Sequence, residues 1–258
     1  MILPWLDPAQ TLAFLLILIR ISAILVAAPI FGSELVPTQL KVPMMIALSF
    51  FLFTLVPVKN MIFPDNLVGF VPLVAAEMFL GLTLGLLIRT IFAGVQLAGQ
   101  LIGYQMGMAI ANVFDPQAGE QVSVLSEFSY ILAMFLFLVL NGHFLILKAL
   151  VESFTLIPPG QLHLSAAALD LVTGVAGRMF VIAVKIGAAP FVVLFFTQAS
   201  MGIMAKLVPQ MNVLFVGMPL YITMGLFAFG LSLYFFPPIL RSALADMEVS
   251  ILGLLRAL

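Results

Sequence analysis

Cysteine is absent from all 258 residues, so disulfides, thiolate nucleophiles and cysteine metal sites are excluded. Charge is scarce as well. Only 8% of residues are Asp, Glu, Lys or Arg, against about 25% in a soluble domain. The net charge is −1, so no basic surplus points to a nucleic-acid partner. His143 and His163 stand in different segments without ligand spacing around them. Ser33 follows a glycine, but no G-x-S-x-G elbow surrounds it. A Walker loop and a dinucleotide fingerprint are both missing. The expectation is a non-enzymatic chain without cofactor, catalytic residue or metal.

Apolar residues fill the space that charge leaves. They make up 64% of the chain, and the mean hydropathy is +1.26. A soluble domain holds about 45–50% apolar residues. The reading is an all-α polytopic membrane protein of about six hydrophobic segments, treated as one domain over residues 1–258. No polar run is long enough to fold alone. MILPWLDPAQ lacks the basic start of a cleavable signal, so the N-terminus is expected to be retained. The fifteen methionines suit a surface that repacks or seals around something variable.

The first segment, Leu12 to Ala28, carries Arg20 in its middle and Trp5 ahead of it as an interface anchor. Intramembrane charge is rare and usually paired, which predicts a buried partner for Arg20. Met44 to Val56 is short against the about 20 residues of a bilayer-crossing helix. Either it borrows Leu40 to Pro43 or it never spans lipid. Leu67 to Arg89 holds Glu77 and a Gly81-xxx-Gly85 close-packing pair. Phe128 to Leu147 contains Asn141-Gly142-His143, and Pro158-Pro159-Gly160 ends any helix beyond it. Val172 to Ala205 includes Lys185, Pro190 and a polar Gln198-Ala199-Ser200 patch. A break at Pro209 precedes Met211 to Phe236, which Pro237-Pro238 closes. The tail is amphipathic, with Leu240, Leu244, Met247, Ile251, Leu254 and Leu255 on one face. Basic residues give no decisive orientation: Lys59, Lys148, Arg178, Arg241 and Arg256 fall on one side, Lys41, Arg89 and Lys206 on the other. Arg20, Glu77, Arg89 and Lys185 form the set of expected buried charges, with few candidate partners within the chain.

The chain is organised around QLAGQLIGYQMGMAIANVFDPQ, Gln96 to Gln117. Gly99, Gly103, Gly107 and Ala111 recur every fourth residue and make a smooth helical stripe on which another backbone can pack. Gln96, Gln100, Tyr104, Met108 and Asn112 form the adjoining ridge. Proline disfavours helix in the residue before it, so Asp115-Pro116 predicts a helix end by Phe114 or Asp115.

This stretch resembles the hallmark of the flagellar FliR family and its injectisome counterparts, the SctT family. Three further blocks agree in order: LIRISAILVAAPIFG, NGHFLILKALVESFTLIP and LVPQMNVLFVGMPLYI. Gln100, Met218 and Tyr221 stand where many members carry glutamate, phenylalanine and lysine. The resemblance implies one subunit of a type III secretion export gate in the bacterial inner membrane, at the flagellar basal body. It implies FliP-like and FliQ-like partners stacked as helical hairpins around a closed pore, an FlhB-like protein wrapping them, and unfolded export substrates. Much of such a gate sits above the membrane plane. The resemblance also implies a pore plug, which falls on Gln105, Met106, Gly107, Met108, Ala109, Ile110, Ala111, Asn112, Val113, Phe114, Asp115, Pro116 and Gln117.

Two other classes compete. A secondary transporter with discontinuous helices would suit the break at Pro209 and the buried charges, but it calls for an internal repeat, and no two halves of the chain match. An intramembrane hydrolase would need a nucleophile–base pair, and none is found.

Overall fold

Helix is the only regular structure among the described residues, as expected where backbone groups must be satisfied without water. The computed structural model describes residues 8–29, 31–32, 36–56, 67–108, 123–162 and 166–258. The helices are α1 (Pro8–Ala27), α2 (Thr38–Phe53), α3 (Leu67–Gln105), α4 (Val124–Val139), α5 (Gly142–Leu156), α6 (Ala166–Leu207), α7 (Val213–Ser232) and α8 (Phe236–Ala257). A short 3-10 turn, Leu233–Phe235, joins the last two. Among the described residues, four stretches are long and apolar enough to cross a membrane, or five if α4 and α5 count as one broken span.

Several segment boundaries differ from the expected ones, each for a local reason. The helix around Met44 starts upstream, at Thr38, and takes Pro43 into its second turn, yet at 16 residues it stays shorter than a bilayer-crossing helix. Leu67 to Arg89 and the first part of the central stretch, to Gln105, are not two segments but one helix of 39 residues, because Arg89-Thr90 does not break helical geometry. The apolar run from Phe128 to Leu147 is two helices. Asn141 adopts a left-handed φ of 60°, a conformation that asparagine tolerates better than most residues, and ends α4 before α5 starts. Pro237 and Pro238 do not stop the chain. They occupy the first turn of α8, where a missing N–H costs nothing.

The chain divides into two compact units. The first comprises Met1–Thr90, Asn141–Ala176 and Ala245–Leu258. Its buried side chains follow helical spacing: Leu16, Ile17, Ile21, Ile24 and Leu25 on α1; Leu80, Leu84 and Ile88 on α3; Ile146, Leu150 and Phe154 on α5. Small residues set the approach of α1 and α3. A Cβ on Gly81 would stand 2.6 Å from the Ala23 Cβ and 2.8 Å from the Arg20 carbonyl oxygen. Phe14 meets Phe53 edge-on at 5.8 Å, packing α1 on α2. The expected apolar face of the tail is buried at all six positions, while Arg241 and Asp246 are exposed. Lys148 on α5 donates to the Glu248 carboxylate on α8 at the surface.

The second unit comprises Ile91–Leu140 and Gly177–Leu244. Phe92 lies at its centre, 5.9 Å from the Tyr130 ring and 5.3 Å from Phe137. Hydroxyls in these apolar helices return to the carbonyl one turn back, as Thr197 does to Val193 and Thr223 to Pro219. Prolines lie inside four helices: Pro43, Pro72, Pro190 and Pro219.

Candidate functional site

Two constellations gather the residues that the sequence singles out. The first is a buried ionic clasp in the first unit. Arg20 falls on the buried stripe of α1, between Ile17 and Ile24, so it cannot reach solvent by snorkelling. Its guanidinium grips Glu77 of α3 with both ends: Nε donates to Oε2, and Nη2 donates to Oε1 at 3.0 Å. Both side chains are 1% exposed. Arg20 Nη1 donates to the carbonyls of Ser153 and Ile157, each at 2.8 Å. These carbonyls lie at the C-terminal end of α5, where a cation is favoured, and that of Ser153 also accepts from the Ile157 N–H at 3.1 Å. Gly160 N–H donates to Glu77 Oε1 at 2.8 Å, and the guanidinium carbon lies 4.4 Å from the Phe154 ring centroid. The glycine at 81 admits the backbone of Arg20 at this depth.

Arg20 and Glu77 are therefore buried as expected, but each other's partner within the chain, where few partners were anticipated. They stand 57 positions apart, and only the packing of α1 on α3 joins them. The other two expected buried charges differ. Arg89 and Lys185 are exposed on the surface of this chain, and neither has an ion-pair partner among the described residues. Their register explains it: Arg89 follows the buried Leu87 and Ile88 onto the outer face of α3, and Lys185 lies outside the Ile182, Ala183 and Ile186 face of α6.

The second constellation is the end of α3, in the second unit. Gly99 packs against the start of α4: an added Cβ would stand 2.6 Å from the Ser126 Cα and 2.8 Å from the Leu125 carbonyl oxygen. Ser126 Oγ donates to the Gln96 carbonyl at 3.0 Å across the same contact. At Gly103 the added carbon would run into the Ser123 hydroxyl.

Gly107 does not continue this stripe. The helix ends at Gln105, well before Phe114 or Asp115, and Gly107 has a φ of 78°. Its N–H donates to the Tyr104 carbonyl and the Met108 N–H donates to the Gly103 carbonyl, at 3.0 and 3.1 Å. This is the Schellman closure, with glycine in the left-handed position after the last helical turn. A helix-stopping glycine acts earlier in the chain than the proline does. Gly107 thus terminates α3.

Met106 is fully buried, its side chain lying along α7 where Gly225 leaves room. Gln198 of α6 donates from Nε2 to the Gln105 carbonyl at 2.8 Å. Gln105 Oε1 and Ser123 Oγ are closed to solvent without a hydrogen-bond partner among the described residues. Of the expected plug, Gln105, Met106, Gly107 and Met108 are thus placed, and Ala109 to Gln117 lie outside the described residues. Sequence reasoning flagged Gln198 only as polar and missed Gly225. One glycine in a long apolar helix carries no signal until its neighbour is known.

The fold defines an all-α polytopic membrane protein whose helices meet at glycine contacts and enclose an ion pair. Comparison with known proteins makes that class specific. Residues 11–247 match the family described as bacterial export proteins, family 1, and the chain belongs to that family. It is similar to the flagellar biosynthetic protein FliR of Bacillus subtilis (strain 168), at 35% identity over 83% of each chain. The FliR of Pectobacterium carotovorum subsp. carotovorum is 30% identical over 85% of this chain and 84% of its own. That of Escherichia coli (strain K12) is 29% identical over 81% and 79%.

Proposed function

We propose that this protein is a structural pore subunit of a flagellar type III export gate in the bacterial inner membrane, at the basal body. It works with FliP-like and FliQ-like subunits and an FlhB-like protein, and it passes unfolded export substrates. The similarity to FliR proteins along most of their length supports the flagellar assignment.

The observation that carries the reading is the length of α3 and α6 against their charge. They have 39 and 42 residues, or about 58 and about 63 Å at 1.5 Å per residue. A bilayer core is about 30 Å thick. Arg89 and Lys185 stand near the middle of these helices and are exposed on this chain. Helices with enough residues for twice the hydrocarbon thickness, and with exposed mid-length charge, suit a subunit clad by other proteins and rising partly out of the lipid. Short helices such as α2, α4 and α5, of 16, 16 and 15 residues, are tolerated where protein covers them.

Within that gate, Gln105 to Gln117 obstruct the resting pore and move aside for cargo. Met106 and Met108 supply flexible apolar contact, and Gly107 supplies a break in the helix. Deleting Ala109 to Asn112 tests this. The assembled gate should become leaky to small molecules, measured as permeability of the cells with assembly checked in the same strain. An assembled complex as tight as wild type would remove the plug from these residues.

A further inference from the structure

The parts of the ionic clasp leave the ribosome at different times. Arg20 comes first. Glu77 follows 57 positions later, and the carbonyls of Ser153 and Ile157 follow at 133 and 137. A chain grows at about 5–20 residues per second, so α1 exists for seconds before its counter-charge does. Among the described residues, Glu77 is the only ion-pair partner of Arg20.

α1 has no spare length with which to wait. Its 20 residues span about 30 Å, the thickness of a bilayer core. Arg20 lies nearer the C-terminal end of α1, but helical side chains tilt toward the N-terminus, so the guanidinium is aimed back into the apolar middle. On insertion scales one central arginine offsets about five to ten leucine-like side chains, which is most of what a helix of this length carries. α3 brings more than the carboxylate. Gly81 faces Ala23 and the Arg20 carbonyl, and a Cβ added at Gly85 would stand 3.0 Å from the Ile24 carbonyl oxygen. This small-residue seam lets α1 and α3 close on each other before α5 is made.

We infer that Glu77 is the residue that keeps α1 across the bilayer: α1 and α3 are placed as a pair, and the α5 carbonyls join a clasp that is already neutral. Placing α1 while the chain is made is a separate task from fastening the finished fold, and the two respond differently to substitution. A fastening needs both partners equally. Placement needs Glu77 only as long as Arg20 is there.

The chain has no cysteine, so single reporters are read without background. Pro8→Cys and Thr38→Cys, made separately in the full-length protein, bracket α1. Spheroplasts are treated with a membrane-impermeant maleimide before and after permeabilisation. With the clasp intact, one reporter should label from outside and the other only after permeabilisation. Arg20→Leu should keep that pattern, because α1 then carries no charge. Glu77→Leu should cut the outside labelling roughly tenfold. Arg20→Leu combined with Glu77→Leu should restore it, although the whole clasp is gone.

The two single variants break the same clasp, so misfolding alone would affect them alike. Equal loss of labelling in both overturns the placing role, and so does a Glu77→Leu protein that labels as the intact one does. A double variant that is not restored overturns it too. If both reporters label from the same side with the clasp intact, α1 does not cross, and Glu77 has nothing to place.

Discussion

Arg20 holds both carboxylate oxygens of Glu77 in an interior that solvent does not reach, and the same guanidinium caps the last turn of α5. One arginine thus joins three helices, and Gly160 closes the arrangement from the fourth side. Removing one partner of such a pair leaves an uncompensated charge, at a cost of about 3–5 kcal/mol. Arg20→Met and Glu77→Leu should each lower the melting temperature in detergent sharply. Combined, they should recover only part of the loss, because the Ile157 carbonyl and the Gly160 N–H lose their partners while the Ser153 carbonyl keeps only the Ile157 N–H. A double variant as stable as wild type would mean that the backbone contacts contribute nothing.

Gly99 and Gly107 should respond differently to the same residue. Asparagine tolerates left-handed backbone, so Gly107→Asn should keep helix termination and assembly, while Gly107→Ala loses about 1–2 kcal/mol. Gly99→Asn meets the backbone of Ser126, an overpacking of about 1–3 kcal/mol. Co-purification with the partner subunits gives the comparison. Equal behaviour of the two asparagine variants would erase the distinction between terminator and contact.

Ser123 is the N-cap of α4, yet its hydroxyl makes no capping bond. Losing a working cap typically costs about 1 kcal/mol. Here the hydroxyl is closed off and has no partner among the described residues, so Ser123→Ala should leave the melting temperature unchanged or raise it. A fall of several degrees would show that the hydroxyl is bonded in solution.

Lys148 and Leu254 make a similar contrast in the first unit. The Lys148–Glu248 pair is at the surface, where held ion pairs contribute little. Leu254 is 1% exposed on the buried face of α8. Lys148→Ala should melt with wild type, whereas Leu254→Ala should lose about 2–5 kcal/mol. Thermal unfolding in one detergent measures both, and the opposite order would mean that charge and not burial holds α8.

Made alone, the protein should aggregate or give a low yield in detergent gel filtration, because Arg89 and Lys185 remain exposed on long apolar helices. Co-expression with FliP-like and FliQ-like partners should restore a single peak. A monodisperse lone subunit of undiminished yield would argue against covered charges at these two positions.

Local pattern was legible in the sequence, and pairing was not. The amphipathic face of the tail could be read residue by residue, because helical period alone decides which side is apolar. Glycine spacing likewise located Gly81, Gly99 and Gly103 as contacts. Arg20 and Glu77 were visible as improbable charges, yet nothing in one dimension joins positions 57 apart. The end of α3 was misjudged because Asp115-Pro116 is a strong stop signal, while Gly107 looked like one more member of a four-residue repeat. The repeat and the cap use the same residue type, and only the sign of φ separates them.

The four interior prolines have a consequence for hydration. A proline has no N–H, so the carbonyl four residues earlier loses its usual donor. Those carbonyls belong to Gln39, Val68, Ile186 and Phe215. In hydrocarbon each would need a replacement from water, a hydroxyl or a neighbouring helix. Among its described residues, a chain that is 64% apolar therefore carries four thirsty points, and these mark where solvent or a companion backbone would be admitted.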